Sequence, residues 1–480
     1  MARMQRAGGE DRLSALPDAT LTRVLSHLPT DQSVRTSMLS RRWRRVFAAV
    51  PVVDIRNGTT AVSVGIDLSN GTTTVGAALK VSGALLSRDG AAPIRTFRVA
   101  GFIGRPSNAL IDQWIATAVF AGAETLDLDL TQGGTGMPLC QHTNTRYERP
   151  KYDFYGLNFY TVPRRLLTHA ALRHLRLGNC ELRLPKHVET LTLGSLETLS
   201  LRRVDASEEA LRRLVSACPR LAAMTLEECR WVRSIRVQPT ALRLRAFTLR
   251  CCHEATDVFV NAPFLRSLDY KGSVPDPLSL TNWGAIEALA MDICETVSYC
   301  PKDSPKIWEV VAMVERCTSL KSLRLSAQPT PPFFPYRAWL PGLTRLELRG
   351  PFRNNLHITG LIGIVKNTPN LEVLTLTLVI DTSQPDQASS NKKIVVSKDM
   401  LSAQIKCFSS TLRRIHLVGY SGQEAQRRLV KFLLRKATCA DEMCVSFAAS
   451  VAQGSEAQTL LVKETMSWWR NPLIKINFTR

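Results

Sequence analysis

The chain has 480 residues, 45% of them hydrophobic, and 62 Lys and Arg against 41 Asp and Glu, a net charge of +21. That length and apolar content exclude a disordered or fibrous chain and allow one small module plus one large repeat domain. The positive charge favours acidic partners through encounter rate and says little about fold. No apolar stretch follows the arginines of MARMQRAGGEDRLS, so a secretory signal is not expected, and no uncharged run reaches the roughly 20 residues of a membrane span. The reading is therefore a cytosolic or nuclear protein with free cysteines.

In chain order, residues 1–10 read as a tail. The run DRLSALPDATLTRVLSHLPTDQSVRTSMLSRRWRRVF follows. Leu16-Pro17-Asp18 is a helix start, and Leu21, Val24, Leu25 and Leu28 recur at the spacing of one helical face. Pro29 ends that helix. Thr30 can cap a second helix, where Val34 and Met38 share an apolar face, and Ser40 can cap a third that carries Trp43, Val46 and Phe47. So few residues do not bury this much apolar surface unaided, and no cysteine staples them, which points to a partner.

Beyond this run one phrase returns: an apolar residue, two others, an apolar residue, one other, an apolar residue. Its middle apolar position falls at Phe97, Leu126, Leu175, Leu199, Met224, Phe247, Leu268, Leu289, Leu323, Leu346, Leu374 and Ile415. From Leu175 to Leu289 the steps are 24, 25, 23, 21 and 21 residues, within the roughly 20 to 29 of leucine-rich repeats. The phrase near Leu191 falls too close to Leu199 and reads as connecting segment. Cys180, Cys229, Cys252 and Cys294 each stand three residues after a phrase, in the slot that settles the turn after the strand. Helical stripes precede several phrases: Leu211, Leu214, Val215, Cys218; Ile307, Val310, Val311, Val314; Leu361, Ile364, Val365, Thr368. Pro219 and Pro369 stop two of these helices, so helix, break and strand form the expected unit. Such units stack into an α/β solenoid with a parallel sheet inside and helices outside. Thr131 to Ala170 and Asp381 to Asp399 read as loops. From Thr411 a strand precedes a helix with Leu429, Phe432, Leu433 and Lys436 near one face, and the Trp468-Trp469 pair is expected to seal the end of the array.

The residues 11–50 resemble an F-box, on LSALPDATLTRVLSHLP and LSRRWRR. The whole chain resembles plant F-box/leucine-rich-repeat proteins, with repeats over 51–400 and, over 401–480, a C-terminal region similar to the FBD module. The resemblance implies docking onto the Skp adaptor of a cullin–RING ubiquitin ligase through Leu16, Pro17, Leu21, Val24, Leu25, Leu28, Pro29, Val34, Leu39, Arg41 and Trp43. It implies a non-catalytic substrate receptor whose repeats capture a protein target for ubiquitination. Within the strand phrases, alternation turns Arg176, Ser200, Thr225, Thr248, Asp269, Arg324, Glu347 and Thr375 outward as the candidate target-binding row. A basic scaffold or nucleic-acid-binding repeat protein remains the alternative, although no paired Cys and His, RNA-binding aromatics or basic zipper are found. A small-molecule pocket within the repeats rests on analogy alone.

Catalytic signatures are absent: no GxxxxGK[ST], HExxH or GxSxG occurs, and Gly419-Tyr420-Ser421-Gly422 has the wrong spacing. Cys251-Cys252-His253 lacks a second ligand pair. No catalytic residue, cofactor or metal is assigned.

Overall fold

The computed structural model describes residues 13, 15–56, 72–100, 106–130, 159–184, 191, 193–229, 232–237, 243–253, 255, 257–272, 278–293, 305–327, 338–350, 352, 355–379, 404–468 and 474–479. They gather into two compact units, one formed by 1–138, 150–232 and 240–242, the other by 139–149, 233–239 and 243–480. No described helix is long and apolar enough to cross a membrane.

The first unit opens on three short helices, α1 (Asp18–Leu25), α2 (Thr30–Thr36) and α3 (Arg41–Ala48). Ser40 caps α3 as its type predicts, its hydroxyl accepting from the Trp43 amide. Thr30 does not cap α2, where Pro29 holds that position. Its hydroxyl instead accepts from the Asp54 amide at 2.7 Å. That contact ties the helices to the first strand, Val52–Arg56. Five more strands follow it in parallel: Thr96–Ala100, Thr125–Asp129, His174–Gly178, Thr198–Arg202 and Ala223–Glu227. The second unit lays nine parallel strands side by side in chain order: Ala246–Arg250, Ser267–Gly272, Ala288–Ile293, Ser322–Ala327, Arg345–Gly350, Val373–Leu378, Arg414–Tyr420, Glu442–Phe447 and Lys475–Thr479.

The repeat markers fall into register. Phe97, Leu126, Leu175, Leu199 and Met224 are cross-strand partners in the first unit. Phe247, Leu268, Leu289, Leu323, Leu346, Leu374 and Ile415 do the same in the second. All are buried, and each large apolar side chain so removed from water contributes about 1.5 to 3 kcal/mol. Leu191 lies outside any strand, as its spacing required. The sheet does not stop at 400; the strands from Glu442 and Lys475 extend it through the C-terminal region.

The helix, break, strand unit holds for only part of the array. Helices at Glu208–Ser216, Pro305–Arg316 and Asn355–Lys366 bury their predicted stripes, Ile307 lying outside the described side chains. Short strands also lie in the connections, at Tyr160–Thr161, Cys180–Leu182 and Asp205–Ala206 in the first unit, the last followed directly by the Glu208–Ser216 helix, and at Ser234–Val237, Asp257–Val260 and Leu278–Leu280 in the second, where they stand in for helices. In the second unit the short steps, 23, 21 and 21 residues, explain the replacement: after a strand and two turns, too few residues remain for a stable helix. Tyr160–Thr161 and a helical turn, Arg164–Leu167, also occupy the end of the stretch read as a loop from Thr131 to Ala170. The rest of that stretch, 131–158, and the Asp381 to Asp399 stretch lie outside the described residues, as do Cys294 and Trp469.

Each turn after a strand has its own chemistry. Asn179, Arg203, Glu228 and Cys251 hold the same slot and all take positive φ, 51° to 57°. A left-handed non-glycine residue is strained, and here backbone bonds to the neighbouring strand offset it: Asn179 N–H donates to Arg202 O at 2.9 Å and Arg203 N–H to Glu227 O at 2.8 Å. The next residues, Cys180, Cys229 and Cys252, are buried as the turn slot predicts. Arg203 and Glu228, in successive slots, form a buried ion pair.

Burial raises the thiols of Cys218, Cys317 and Cys407 to about 12. At pH 8 almost none of each is thiolate. Native protein is therefore expected to leave these three unmodified by iodoacetamide, whereas denatured, unreduced protein exposes all 12 thiols; mass spectrometry of both samples checks this, and a stable internal disulfide would contradict it. A second expectation concerns Gly419, where φ is +82° and an added Cβ would meet the Leu378 carbonyl oxygen at 2.5 Å. Gly419→Ala should cost about 2 kcal/mol or more, read as a lower urea midpoint.

Candidate functional site

Two surfaces stand out. The first is built on α1 to α3. Leu21, Leu25, Trp43, Val46, Phe47 and Val50 form a closed core, with Leu16, Leu28 and Val52 packed against it. Leu21, Leu25 and Trp43 are thus spent inside the module and have almost no surface to offer a partner. Their burial gives them the role of holding the helices in place. Arg42 does the same at the surface, bonding Asp18 Oδ1 at 2.7 Å and the Leu16 carbonyl at 2.5 Å.

α2 turns its polar side inward. Its buried residues are Thr30 and Ser33, the Ser33 hydroxyl donating to Leu25 O at 3.0 Å. Val34 and Met38, the shared apolar face, lie toward solvent, because the polar pair packs inward and bonds the backbone of α1 and of the first strand. Val24 is 43% exposed, Val34 38%, Leu39 67% and Met38 85%. Pro17, Pro29 and Arg41 are exposed as well. Four outward apolar side chains on a module with a finished core are what a docking surface requires. Met38 shares the exposed face of Val34, which the family resemblance names as an adaptor contact.

The second surface is the outer face of the strands. Strand burial alternates, and the predicted row lies on the more open side. In the first unit Asp127, Arg176, Ser200 and Thr225 are register partners. Arg176 stands 3.7 Å from Asp127, whose carboxyl burial pushes above the ordinary range, against the pull of that arginine. In the second unit Thr248, Asp269, Ala290, Arg324, Glu347 and Thr375 are partners across six strands. Arg324 donates to Asp269 at 2.9 Å, and Arg250 reaches the same carboxylate. Reversing the charge of Arg324 would thus set two carboxylates together, so this position is not a neutral probe of binding.

Sequence reading passed over Ala288 and Ala290, the two positions that shape this face. Their methyl groups leave a dip between strands bearing Asp269 and Arg324, a groove of about 370 Å³ that also reaches Arg345, Glu347 and Thr375. Two small residues at consecutive outward positions were the available signal.

Comparison with known families matches both domains. An F-box domain model covers residues 13–52, and the model described as At1g61320/AtMIF1, LRR domain, covers 93–438. The chain belongs to the plant F-box/leucine-rich-repeat family. F-box/LRR-repeat protein At3g03360 of Arabidopsis thaliana is 27% identical over 397 residues, 76% of this chain and 70% of that protein. The putative F-box/FBD/LRR-repeat protein At5g22670, from the same plant, is 23% identical over 96% of both chains. FBD-associated F-box protein At5g60610, also from Arabidopsis thaliana, is 26% identical over 91% of this chain and all of its own length. The F-box/leucine-rich-repeat pairing gives the chain a substrate-recognition role, in a family whose members are typically non-catalytic receptors.

Proposed function

We propose that this chain is the substrate-recognition subunit of a Skp–cullin–F-box ubiquitin ligase, acting in the cytosol or nucleus. α1 to α3 dock the Skp adaptor, and the outer face of the repeat strands holds a protein target while other subunits transfer ubiquitin. The observation that carries this reading is the outward set Val24, Val34, Met38 and Leu39 on a three-helix module whose core is complete without them. Exposed apolar groups cost nothing to pair and gain when a partner removes them from water.

Co-purification tests it in two arms. The full chain should bring down a Skp-type adaptor and cullin, and that association should change little between 50 mM and 500 mM salt, because apolar docking is not screened. A chain lacking residues 11–50 should lose the adaptor and accumulate its target. If the adaptor is absent from both and nucleic acid leaves with rising salt, the basic-scaffold reading takes its place.

A further inference from the structure

The groove on the second unit has a charge imbalance that says what it receives. Asp269 is shared by Arg250 and Arg324, so its charge is answered twice over. Next to it, Arg345 and Arg349 flank Glu347 on one strand, all three on the outer face. Arg345 pairs in register with Val373, which pairs with Arg414. Arg345, Arg349 and Arg414 are exposed, and among the described residues none has a carboxylate within ion-pair distance. Three arginines thus stand against two glutamates, Glu347 and the Glu442 that pairs in register with Arg414, beside a floor kept low by Ala288, Ala290 and Ser322.

We propose that this groove captures an extended acidic segment of the target, its Asp and Glu side chains set against Arg345, Arg349 and Arg414. This rests on the reading of the strand face as the capture surface and names the chemistry it selects. The spacing fits. Neighbouring strands lie about 4.8 Å apart, which sets the backbones of Arg345 and Arg414 about 10 Å from each other, and Arg345 and Arg349 stand about 13 Å apart along one strand. Same-side residues of an extended peptide recur about every 6.6 Å, so a peptide lying along the strand meets Arg345 and Arg349 with acidic residues four positions apart, leaves the position between them over Glu347, and has Arg414 about 10 Å to its side. Arginine suits the role because its planar fork takes a carboxylate through two parallel hydrogen bonds. Glu347 sits between the arginines as the repelling element that rejects a uniformly acidic ligand in the wrong register. Single-stranded nucleic acid is a poorer fit, since the outer positions of the seven strands from Ala246–Arg250 to Arg414–Tyr420 present no Phe, Tyr or Trp on which bases would stack.

Fluorescence anisotropy with the full chain and three dye-labelled peptides, Glu-Thr, Gln-Thr and Lys-Thr, each with the named residue at every fourth position among threonines, tests the proposal. The Glu-Thr peptide should bind, and raising salt from 50 mM to 300 mM should weaken it about tenfold. Arg345→Ala, Arg349→Ala and Arg414→Ala combined should weaken it by about tenfold or more, and Glu347→Gln should tighten it several-fold. These side chains are exposed, so circular dichroism should be unchanged. Equal binding of the Gln-Thr peptide, an unaffected triple variant, or tighter binding of a single-stranded RNA of the same length would each overturn the proposal. The underlying reading fails separately: if filling the groove at Ala290 leaves target capture intact, the strand face is not the capture surface. If filling abolishes capture while the Glu-Thr peptide never binds, the face stands and the acidic segment falls.

Discussion

Val34→Asp together with Leu39→Asp is expected to abolish co-purification of the Skp-type adaptor, a loss on the order of 100-fold in affinity, while leaving the unfolding midpoint almost unmoved. Both side chains already face water, so a charge there disturbs no core. In a docked interface each carboxylate would be buried without a partner, which costs several kcal/mol in total. Leu25→Ala should look different. Its side chain lies within the closed cluster of Trp43, Val46 and Phe47, and removing it costs about 3 to 5 kcal/mol. Such a loss melts the three helices, so adaptor binding disappears together with protease resistance over residues 15–50. Limited proteolysis beside the pull-down separates the two outcomes. A Val34→Asp, Leu39→Asp chain that still holds the adaptor would place docking on another surface.

The contrast between those variants marks where the sequence was legible. Period and spacing found the three helices, because proline punctuation and a Ser cap act locally. They did not find which face of α2 turns inward. A helix of seven residues makes barely two turns, and the Thr30 and Ser33 hydroxyls, each bonded to a neighbouring element, decide its orientation. The repeat strands were legible for the opposite reason: a strict alternation recurring at nearly fixed steps leaves one register that buries every Leu. Three strands escaped although the phrase is present in each, at Val50-x-x-Val53-x-Ile55, Ala440-x-x-Met443-x-Val445 and Leu473-x-x-Ile476-x-Phe478. The first is hidden by the 44 residues separating Val53 from Phe97, and the others by their place in a region set apart as an FBD module. The left-handed turn slot had no readable signature, since only Asn179 of its four occupants favours that conformation.

The outer strand face was legible as a row of polar residues and illegible as a shape. The predicted row gave residues that the strands do bring together within each unit, but a depression depends on what is small, and alternation arguments weigh only what is large or charged. Ala290→Tyr turns that into a measurement. Its neighbours across the strands are Asp269 and Arg324, and a tyrosine ring at that outward position fills the floor of the groove beneath Arg345 and Glu347. Tyrosine favours strands, so the change should shift folding stability by less than about 1 kcal/mol. Arg324 and Asp269 keep their bond, so the charge pattern of the face survives. Target recovered from the chain lacking residues 11–50 should fall by about tenfold or more, with adaptor binding by the full chain unaffected. The same substitution on the opposite parity, at Leu289, would enlarge a side chain inside the core and strain it, at a cost of about 1 to 3 kcal/mol. A groove-filled variant that captures its target as well as the parent does would move the binding surface away from these strands, to residues outside the row from Thr248 to Thr375.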